Sequence, residues 1–481
     1  MNKSSVQRRL KNPYLLISII LIGAWIGTFQ ANIRKPLPEG ISISGPIRYP
    51  DRFEFLSDLT YQRSGETAMD QEIFDRILAM IDAAQTFVVI DMFLFNDEHG
   101  GERAYRPLTQ EITELLIRKK QEDPNFHITF ITDEINNFYG SYTAEHLSRL
   151  ERHGIQVITT DLNRLRDSNP LYSSFWRMGP QWLGTRGSGF LPHPLSSTGT
   201  NVTARSYLRL LNFKANHRKV VVTDRECLVT SANPHDASSF HSNIAFYSTG
   251  SLCSDILESE RAVASFSGGE IPHLPQPFLV DSGTTAVGVR LTTEGRIKAQ
   301  MLAHLDQLDS GDSVSVAMFY FSGRNLVRAL LTAADRGVSI KLILDPNKDA
   351  FGREKGGVPN RQVAWELTNK SDGAIQVRWF DTHGEQFHTK LMILSSADSM
   401  TVFGGSANLT RRNVGDFNLE ADLMVLTPRS DPLALELAHY FDRLWFNHDG
   451  EFTVPFEVYE DSGFFKRVLY RIQEWSGFSS F

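Results

Sequence analysis

The chain has 481 residues, enough for two domains or more, and its 41% hydrophobic and 22% charged residues are ordinary for a folded globular protein. The net charge of −7 argues against nucleic acid as a partner, because affinity for nucleic acid comes mostly from lysine and arginine on phosphates. An acidic chain therefore needs a local basic groove before such binding is considered.

The first 33 residues have the pattern of a membrane anchor. No charged residue occurs from Asn12 to Ile33, and a segment of that length can cross a bilayer as a helix. The cations that precede it are Lys3, Arg8, Arg9 and Lys11. Because cytoplasmic flanks carry the excess of positive charge, we expect a single-pass protein of the cell membrane, with a cytoplasmic N-terminus and the remaining chain outside. A cleaved signal peptide is the alternative, although "GTFQAN" shows no small-x-small cleavage site.

Beyond the anchor, the same series of apolar, β-branched runs occurs twice. The paired runs are 88–95 with 314–321, 127–134 with 339–346, and 155–162 with 375–382. Stretches with helical spacing lie between these runs, such as "QEIFDRILAMIDAAQ" before the first and "RIKAQMLAHLDQL" before its counterpart. Strands that alternate with helices predict an α/β fold, here duplicated within one chain.

The duplication divides the chain into an anchor (1–33), a first repeat (34–270), a second repeat (271–450) and a C-terminal tail (451–481). From Ile155 to His217 there are 62 residues, but from Ile375 to His388 only 13, so the first repeat carries an insertion of 49 residues at about 163–211. The insertion is rich in aromatic residues, glycine and proline. We expect it to face substrate or membrane, with a packing extension as the alternative.

Each repeat carries a histidine and a lysine at the start of an apolar strand. "NHRKVVVTD" contains His217 and Lys219, and "FHTKLMILSS" contains His388 and Lys390. A cation cluster at a strand end is usually a solvated edge, but a second copy at a matching offset is not expected by chance. Each copy is followed by a Ser-Ala-Asn tripeptide, whose polar members are Ser231, Asn233, Ser406 and Asn408.

This paired motif suits a phosphate. Side chains two residues apart on a strand point to the same side, so each lysine should flank its histidine. Two imidazoles, two ammonium groups and two asparagine amides can orient and neutralise phosphate oxygens, while one imidazole attacks phosphorus and the other protonates the leaving oxygen. The sequence shows no obvious cluster of metal ligands, and we expect neither a metal nor another cofactor.

His-x-Lys with an aspartate five residues beyond the lysine, present twice, resembles the phospholipase D superfamily. The resemblance runs from about residue 50 to 447 and implies two tandem α/β sandwich repeats related by a pseudo-twofold axis, here after one transmembrane helix. It assigns the catalytic signature to His217, Lys219 and Asp224, and to His388 and Lys390 in the second copy. Ser395 stands where the second aspartate is expected, which we interpret as tolerated divergence at a structural position.

The family often places a glutamate downstream in Asn-x-Glu, where it orients a histidine. In "NLE" this residue is Glu420, expected to orient His388. The place at equal offset in the first copy is "NIA", with Ala245 instead of an acid, so His217 is expected to use Asp236, Asp255 or no acidic partner. By resemblance the first-copy histidine is the nucleophile and the second is the general acid.

Within the superfamily, an anchor and two unequal repeats are most similar to bacterial cardiolipin synthases and their phospholipase D-like relatives. The resemblance implies transfer of a phosphatidyl group from phosphatidylglycerol, through a phosphohistidine, to an alcohol or to water, with phospholipid and the membrane as partners. The alternatives are a nuclease or phosphodiesterase of the same superfamily, which the charge and the anchor disfavour, and an inactive lipid-binding descendant.

Two further expectations concern packing. Cys227 adjoins an inferred core strand, so we expect it and Cys253 to be buried free thiols rather than a disulfide. In the tail, apolar residues form one helical stripe within "GFFKRVLYRIQEW". We expect this stripe to pack on the protein core, with an interfacial helix on anionic lipid as the alternative.

Overall fold

The computed structural model describes residues 13–99, 103–194, 196, 199–273, 278, 281–350, 353–354, 356–479 and 481. The four cations on which the membrane orientation rests lie outside these residues. The strands are β1 (Phe53–Arg63), β2 (Glu66–Asp70), β3 (Phe87–Met92), β4 (His127–Thr132), β5 (Gln156–Thr159), β6 (Lys219–Thr223), β7 (Glu226–Thr230), β8 (Asn243–Thr249), β9 (Gly288–Thr293), β10 (Ser313–Met318), β11 (Ser339–Leu344), β12 (Asp349–Ala350), β13 (Arg353–Glu354), β14 (Ile375–Phe380), β15 (Lys390–Ser395), β16 (Ser399–Gly405), β17 (Ala421–Pro428) and β18 (Thr453–Pro455).

The helices join and cover these strands. They are α1 (Pro13–Ile33), α2 (Ile73–Ala83), α3 (Leu108–Glu122), α4 (Glu145–Arg152), α5 (Pro170–Met178), α6 (Ala204–Leu210), α7 (Ser251–Phe266), α8 (Gly295–Leu305), α9 (Arg324–Asp335), α10 (Asn360–Lys370), α11 (Pro432–Phe446) and α12 (Phe464–Ser476).

Two eight-stranded mixed sheets carry the fold. Their orders are β2-β1-β8-β7-β6-β3-β4-β5 and β9-β17-β16-β15-β10-β11-β14-β18 when the second is read in the matching direction. Seven strands correspond one to one, with β2 added at one edge of the first sheet and β18 at the other edge of the second. The predicted α/β duplication is confirmed, and the tail contributes β18 to the second sheet.

The two sheets share a central core, in which Val220 and Phe246 of the first sheet cluster with Leu391 and Val402 of the second. Helices α2, α3 and α4 pack on the other face of the first sheet, and α8, α9 and α10 do so on the second. The middle strands are therefore covered on both faces, which explains why β3 and β6 are buried along their whole length.

The expectation of free thiols is wrong, because Cys227 and Cys253 form a disulfide with a Cα–Cα separation of 5.3 Å. Cys227 lies on β7 and Cys253 lies in the first turn of α7, which packs against that strand. Burial beside a core strand, the basis of the expectation, is equally compatible with a disulfide when the facing residue on the covering helix is also cysteine.

The expectation that the tail stripe packs on the core is also wrong. In α12 the apolar side chains face outward, with Phe465 86% and Trp475 75% exposed, whereas Tyr470 and Glu474 face inward. Tyr470 donates a hydrogen bond to the carbonyl of Ser322 (3.1 Å). The inner face of the helix is therefore held by polar contacts, which the periodicity of apolar residues could not indicate.

Among the described residues, α1 is the one helix long and apolar enough to cross a membrane, with a mean hydropathy of 1.8 and no buried residue. The indole of Trp25 donates a hydrogen bond to the carbonyl of Leu171 in α5 (3.1 Å), and the amide of Asp167 donates one to Asn32 at the end of α1 (3.2 Å). The insertion therefore contacts the apolar N-terminal helix directly.

Candidate active site

The two repeats meet through a pair of equivalent backbone bridges. The amide of Leu419 donates to the carbonyl of Ala215 (3.0 Å), and the amide of Ser242 donates to the carbonyl of Gln386 (3.0 Å). The bridges Asn216–Leu419 and Ser242–Phe387 occupy equivalent positions in the two repeats. Each joins the residue directly before one histidine to a loop of the other repeat. This pseudo-twofold arrangement brings both histidines to the junction between the sheets.

Each histidine is oriented by a side chain from the opposite repeat. His217 Nδ1 lies 3.0 and 3.1 Å from the two carboxylate oxygens of Glu420, and His388 Nδ1 lies 3.1 Å from Asn243 Oδ1. The amide of Asn243 is fixed in this sense because its Nδ2 donates to the carbonyl of His241 (3.3 Å). An acceptor at each Nδ1 places the proton there and leaves Nε2 unprotonated in the neutral ring.

The expectation that Glu420 orients His388 is therefore wrong. Asp236 and Asp255, the suggested partners of His217, instead bind the amide of Thr109 and the guanidinium of Arg48. The expectation was wrong because the orienting side chains cross from one repeat to the other. A sequence motif shows which residues are close along the chain, but it does not show which histidine each of them contacts.

The position matching Glu420 in the first repeat is Asn243, not Ala245. The amide of Ser231 donates to the carbonyl of Ile244, and the amide of Ser406 donates to the carbonyl of Ala421. Ile244 therefore matches Ala421, and the residues directly before them, Asn243 and Glu420, match each other. The second repeat has two more residues in the intervening loop, since Asn233 to Asn243 spans 10 and Asn408 to Glu420 spans 12. Alignment at equal offset consequently missed Asn243.

The Ser-Ala-Asn tripeptides divide into two roles. Ser231 Oγ donates to Asn243 (3.3 Å) and Ser406 Oγ donates to Glu420, so both serines hold the orienting groups. Asn233 and Asn408 line the cavity, where each Oδ1 accepts a backbone amide and leaves the NH2 group as a donor for a ligand. Of the predicted substrate-binding residues, the structure thus brings the two asparagines to the cavity surface and places the two serines behind it.

The two lysines lie beneath the histidines in equivalent positions. Lys219 Nζ donates to the carbonyl of His217 (2.7 Å), and Lys390 Nζ donates to the carbonyl of His388 (2.8 Å). Both side chains are buried, and each ammonium group lies over a phenylalanine ring at just over 5 Å. The predicted flanking position is thereby found, with the cations under the site rather than at its surface.

Asp224 lies outside the site, contrary to its place in the predicted catalytic set. It follows the far end of β6, about 16 Å from Lys219 at the rise of an extended strand, and its carboxylate accepts the amide of Gln85 (2.9 Å). Ser395 occupies the matching end of β15. The difference between aspartate and serine there affects a turn and not the cavity.

Arg218, between the first histidine and lysine, points away from the cavity. It is fully buried and bonds to Glu260 (3.0 Å) and Glu294 (2.8 Å). Because Glu260 lies in α7 of the first repeat and Glu294 adjoins β9 of the second sheet, Arg218 joins the two halves. The arginine in the motif is therefore a structural cation.

A cavity of about 270 Å³ lies between the repeats, and both histidines line it. Most of the surface of its wall is apolar, although polar side chains that include Glu98, Lys214, His235, His241 and Gln386 also line it. The aromatic and apolar residues that line it are Phe93, Leu94, Tyr105, Ile135, Tyr139, Leu210, Phe213, Ala215, Ala237, Phe319 and Tyr320. Leu210 belongs to the insertion, and the half-buried Arg412 adds a further cation to the wall. A site with charged groups at its base and apolar walls can hold an anionic group that carries an apolar substituent.

The charges of the site act on one another. Burial lowers the pKa of His217 and of His388 well below the usual value, and the ammonium groups of both lysines lower each further. Burial lowers the pKa of Lys219 to about 7 and that of Lys390 well below its usual range. Burial raises the pKa of Glu420, while the charge of Lys219 opposes the rise. A bound phosphodiester anion would favour the protonated lysines and histidines.

Two buried aspartates complete the symmetric site and were not singled out from the sequence. Asp133 accepts the amide of Asn216 (2.7 Å) and Asp345 accepts the amide of Phe387 (2.8 Å), the residues directly before the two histidines. Burial raises the pKa of Asp133 to about 8. The duplicated pattern could have indicated them, because Asp133 directly follows β4 and Asp345 directly follows β11, at the same position in the paired runs.

Comparison with known proteins agrees with this architecture. Residues 304–445 match the family model described as cardiolipin synthase, PLD-like domain. The crystal structure of phosphatidylserine synthase from Haemophilus influenzae is similar in fold, with a TM-score of 0.59 at 11% identity, and covers 94% of this chain and 97% of its own.

Two other solved structures show weaker likeness. A polyphosphate kinase from Porphyromonas gingivalis gives a TM-score of 0.41 at 10% identity over 81% of this chain and 50% of its own. A phospholipase D family member from Salmonella typhimurium gives 0.27 at 19% identity over 34% and 97%. No curated protein sequence matches the chain.

Proposed function

Because this chain belongs to the phospholipase D superfamily, we propose that it is a membrane-anchored enzyme that transfers a phosphatidyl group from phosphatidylglycerol to a lipid alcohol or to water. The observation that carries the proposal is the convergence of His217 and His388, one from each repeat, in one apolar-walled cavity above two buried lysines. The match of residues 304–445 to a cardiolipin synthase, PLD-like domain supports chemistry on phospholipid phosphodiesters.

In the proposed reaction the phosphodiester binds between the histidines, with Lys219, Lys390 and the two cavity asparagines about its oxygens. His217 Nε2 attacks phosphorus, the bond from phosphorus to the leaving oxygen breaks, and His388 Nε2–H supplies the proton to that oxygen. The acceptor hydroxyl then returns a proton to His388 while its oxygen displaces His217 from phosphorus. Both histidines end in their starting states.

The unequal partners of the histidines support this division of roles. Attack makes the His217 ring cationic, and the carboxylate of Glu420 at Nδ1 stabilises that charge. Asn243 Oδ1 accepts a hydrogen bond from Nδ1–H of His388 without adding negative charge. It therefore orients the ring and leaves it a stronger acid than a carboxylate partner would. The assignment of nucleophile and acid by resemblance thus acquires a physical argument.

The apolar walls of the cavity favour a lipid over a nucleotide as the substrate.

The disulfide supports the prediction that the catalytic part lies outside the cytoplasm. A buried Cys227–Cys253 disulfide is typical of oxidising compartments outside the cytoplasm. With α1 as anchor, we propose that the catalytic part lies outside and draws on the outer face of the membrane. A fusion of a fluorescent protein that matures only in the cytoplasm, placed after Phe481, should then stay dark.

The proposal is tested with the full-length chain in phosphatidylglycerol vesicles. We expect cardiolipin and glycerol as products of transfer, or phosphatidic acid and glycerol as products of hydrolysis, and none with His217→Ala. His448→Ala changes an exposed histidine outside the site and serves as the matched control. Cleavage of single-stranded DNA without turnover of lipid would replace the proposal with the nuclease.

A further inference from the structure

The outward face of α12 is an exposed apolar surface on a helix whose rotation is fixed. The exposed residues of this face are Phe464, Phe465, Val468, Leu469, Ile472 and Trp475. On the opposite side Glu474 accepts hydrogen bonds from Ser322 Oγ (2.7 Å) and from the amide of Arg411 (3.1 Å). The helix cannot roll to bury the apolar face without breaking these buried polar contacts.

The insertion exposes a second apolar surface. Trp182 is 79% exposed and Phe190 is 72% exposed, and Leu183 and Phe175 are more than half exposed. Soluble proteins rarely leave large apolar patches in water, so two such surfaces on one molecule call for an apolar neighbour.

Contacts beside the two surfaces link the end of α12 to the insertion, and the insertion to α1. Phe478, just after α12, lies edge-on to Phe213 with ring centroids 5.5 Å apart, and Arg411 donates to the carbonyl of Ser168 (3.0 Å). Ser168 follows Asp167, whose amide bonds to Asn32 at the end of α1. The C-terminal end of α12, the insertion and the end of the apolar N-terminal helix are therefore contiguous.

We infer that the outward face of α12 and the exposed aromatic residues of the insertion form one surface that seats in the interfacial layer of the bilayer beside the anchor. The inference rests on the proposed anchoring by α1, because a spanning helix in contact with α5 holds the insertion at the membrane. Tryptophan and phenylalanine on such a surface suit the boundary between headgroups and acyl chains, where amphipathic helices lie in the plane of the membrane.

Cations on the same helix fit this placement. Arg467 stacks on Trp365 at 3.8 Å, and both line an open groove of about 630 Å³ between α10 and α12 together with Arg471. Long basic side chains at the edge of an inserted apolar face reach the headgroup phosphates of anionic lipids. Glu366 in the same groove pairs with Arg471 (3.4 Å) and Lys370 (2.8 Å), and the three cations leave the margin of the apolar surface with an excess of positive charge.

The surface also adjoins the cavity. Phe213 lines the cavity and contacts Phe478, and Tyr320 lines it and lies 6.2 Å from the ring of Phe481. The segment that directly follows α12 thus packs against two residues of the cavity wall.

The test uses the full chain reconstituted in vesicles that contain phosphatidylglycerol. Both native cysteines are in the disulfide, so one introduced cysteine provides a single labelling position for an environment-sensitive fluorophore. Leu469→Cys and Trp182→Cys report on the two surfaces. Asp309→Cys is the matched control, because its side chain is 84% exposed and precedes β10 at the end of the sheet away from the cavity.

We expect a blue-shifted emission at the first two positions, strong quenching by lipids with a spin label on the acyl chain, and loss of quenching by aqueous iodide. The control should remain open to iodide and unaffected by the spin-labelled lipid. Equal iodide quenching at all three positions would overturn the inference. Protection from iodide without quenching by lipid would also overturn it, by indicating that a second copy of the chain covers the surface.

The same labels are placed in the His217→Ala background, which needs no catalysis for its readout. If the labels insert but the chain with His217 intact turns over no lipid, the membrane surface stands and the proposed activity is rejected. Lipid turnover with labels fully open to iodide would reject the membrane surface and leave the activity standing.

Discussion

Replacing Glu420 by glutamine should impair the step that depends on His217. Glu420 is fully buried, and its two oxygens accept hydrogen bonds from His217, Ser406 and Asn413, all of them donors. Glutamine offers one acceptor oxygen and an NH2 group, so donors replace one of the two acceptor atoms; the Ser406 hydroxyl can turn to accept from that NH2 group, but the Nδ1–H of His217 cannot. Where the NH2 group faces His217, the ring must change tautomer, and Nε2 then carries the proton and cannot attack phosphorus.

The variant also loses the negative charge that, in the proposed reaction, stabilises the cationic phosphohistidine. One preorganised electrostatic contact in a buried site is worth about 3 kcal/mol, which corresponds to roughly a hundredfold in rate. We therefore expect formation of the covalent intermediate to slow by about two orders of magnitude. Unchanged thermal unfolding would establish that the fold is retained.

The assay is single-turnover formation of the intermediate from phosphatidylglycerol and from phosphatidyl-p-nitrophenol, whose leaving group needs no acid. Glu420→Gln should slow both substrates equally, because it acts on the nucleophile. Asn243→Asp is the reciprocal control: a carboxylate beside His388 raises the pKa of that ring and weakens the acid, so only phosphatidylglycerol should slow. A Glu420→Gln defect that the good leaving group rescues would refute the reasoning and exchange the two histidine roles.

Three other changes have defined outcomes. Arg218→Met leaves two buried carboxylates without their cation and should lower the free energy of unfolding by about 3–5 kcal/mol, measured by chemical denaturation; a loss below about 1 kcal/mol would contradict the structural role. Lys390→Met removes a charge that lowers the pKa of His388, so modification of that imidazole by diethylpyrocarbonate should begin at a higher pH than in the unmodified chain, and a shift to lower pH would contradict the assignment. Chelation of divalent metal should leave turnover unchanged, because buried lysines supply the positive charge, and strict metal dependence would argue against this chemistry.

Much of the fold could be predicted from the sequence because duplication repeats every signal. The alignment of 88–95 with 314–321 places Met92 on Met318, and the structure pairs these residues with Lys219 and Lys390 in equivalent positions. Strand order within each half follows from such repeated pairings. The insertion was also visible, as a difference in spacing between the copies.

The pairing between repeats could not be predicted in this way. Glu420 lies on the chain of the second repeat but serves His217, since the junction carries each loop across to the other half. The length difference of two residues between Asn233–Asn243 and Asn408–Glu420 falls in loops, where no periodicity fixes an alignment. The orientation of α12 was missed for a related reason: its rotation depends on Ser322, more than a hundred residues away.

The positions where the repeats agree and differ separate the tasks of the site. Lysines beneath the histidines and asparagines on the cavity wall are duplicated, which fits a task that both halves share, the binding of one phosphate between them. The groups at Nδ1 are not duplicated: a carboxylate stands at His217 and an amide at His388. A displacement through a covalent intermediate needs two unequal imidazoles, because one must become cationic by bonding to phosphorus while the other gives up a proton. Equal partners would stabilise both cations alike and weaken the acid, so an amide at Asn243 opposite a carboxylate at Glu420 is better understood as part of the proposed mechanism than as a defect in one half of the site.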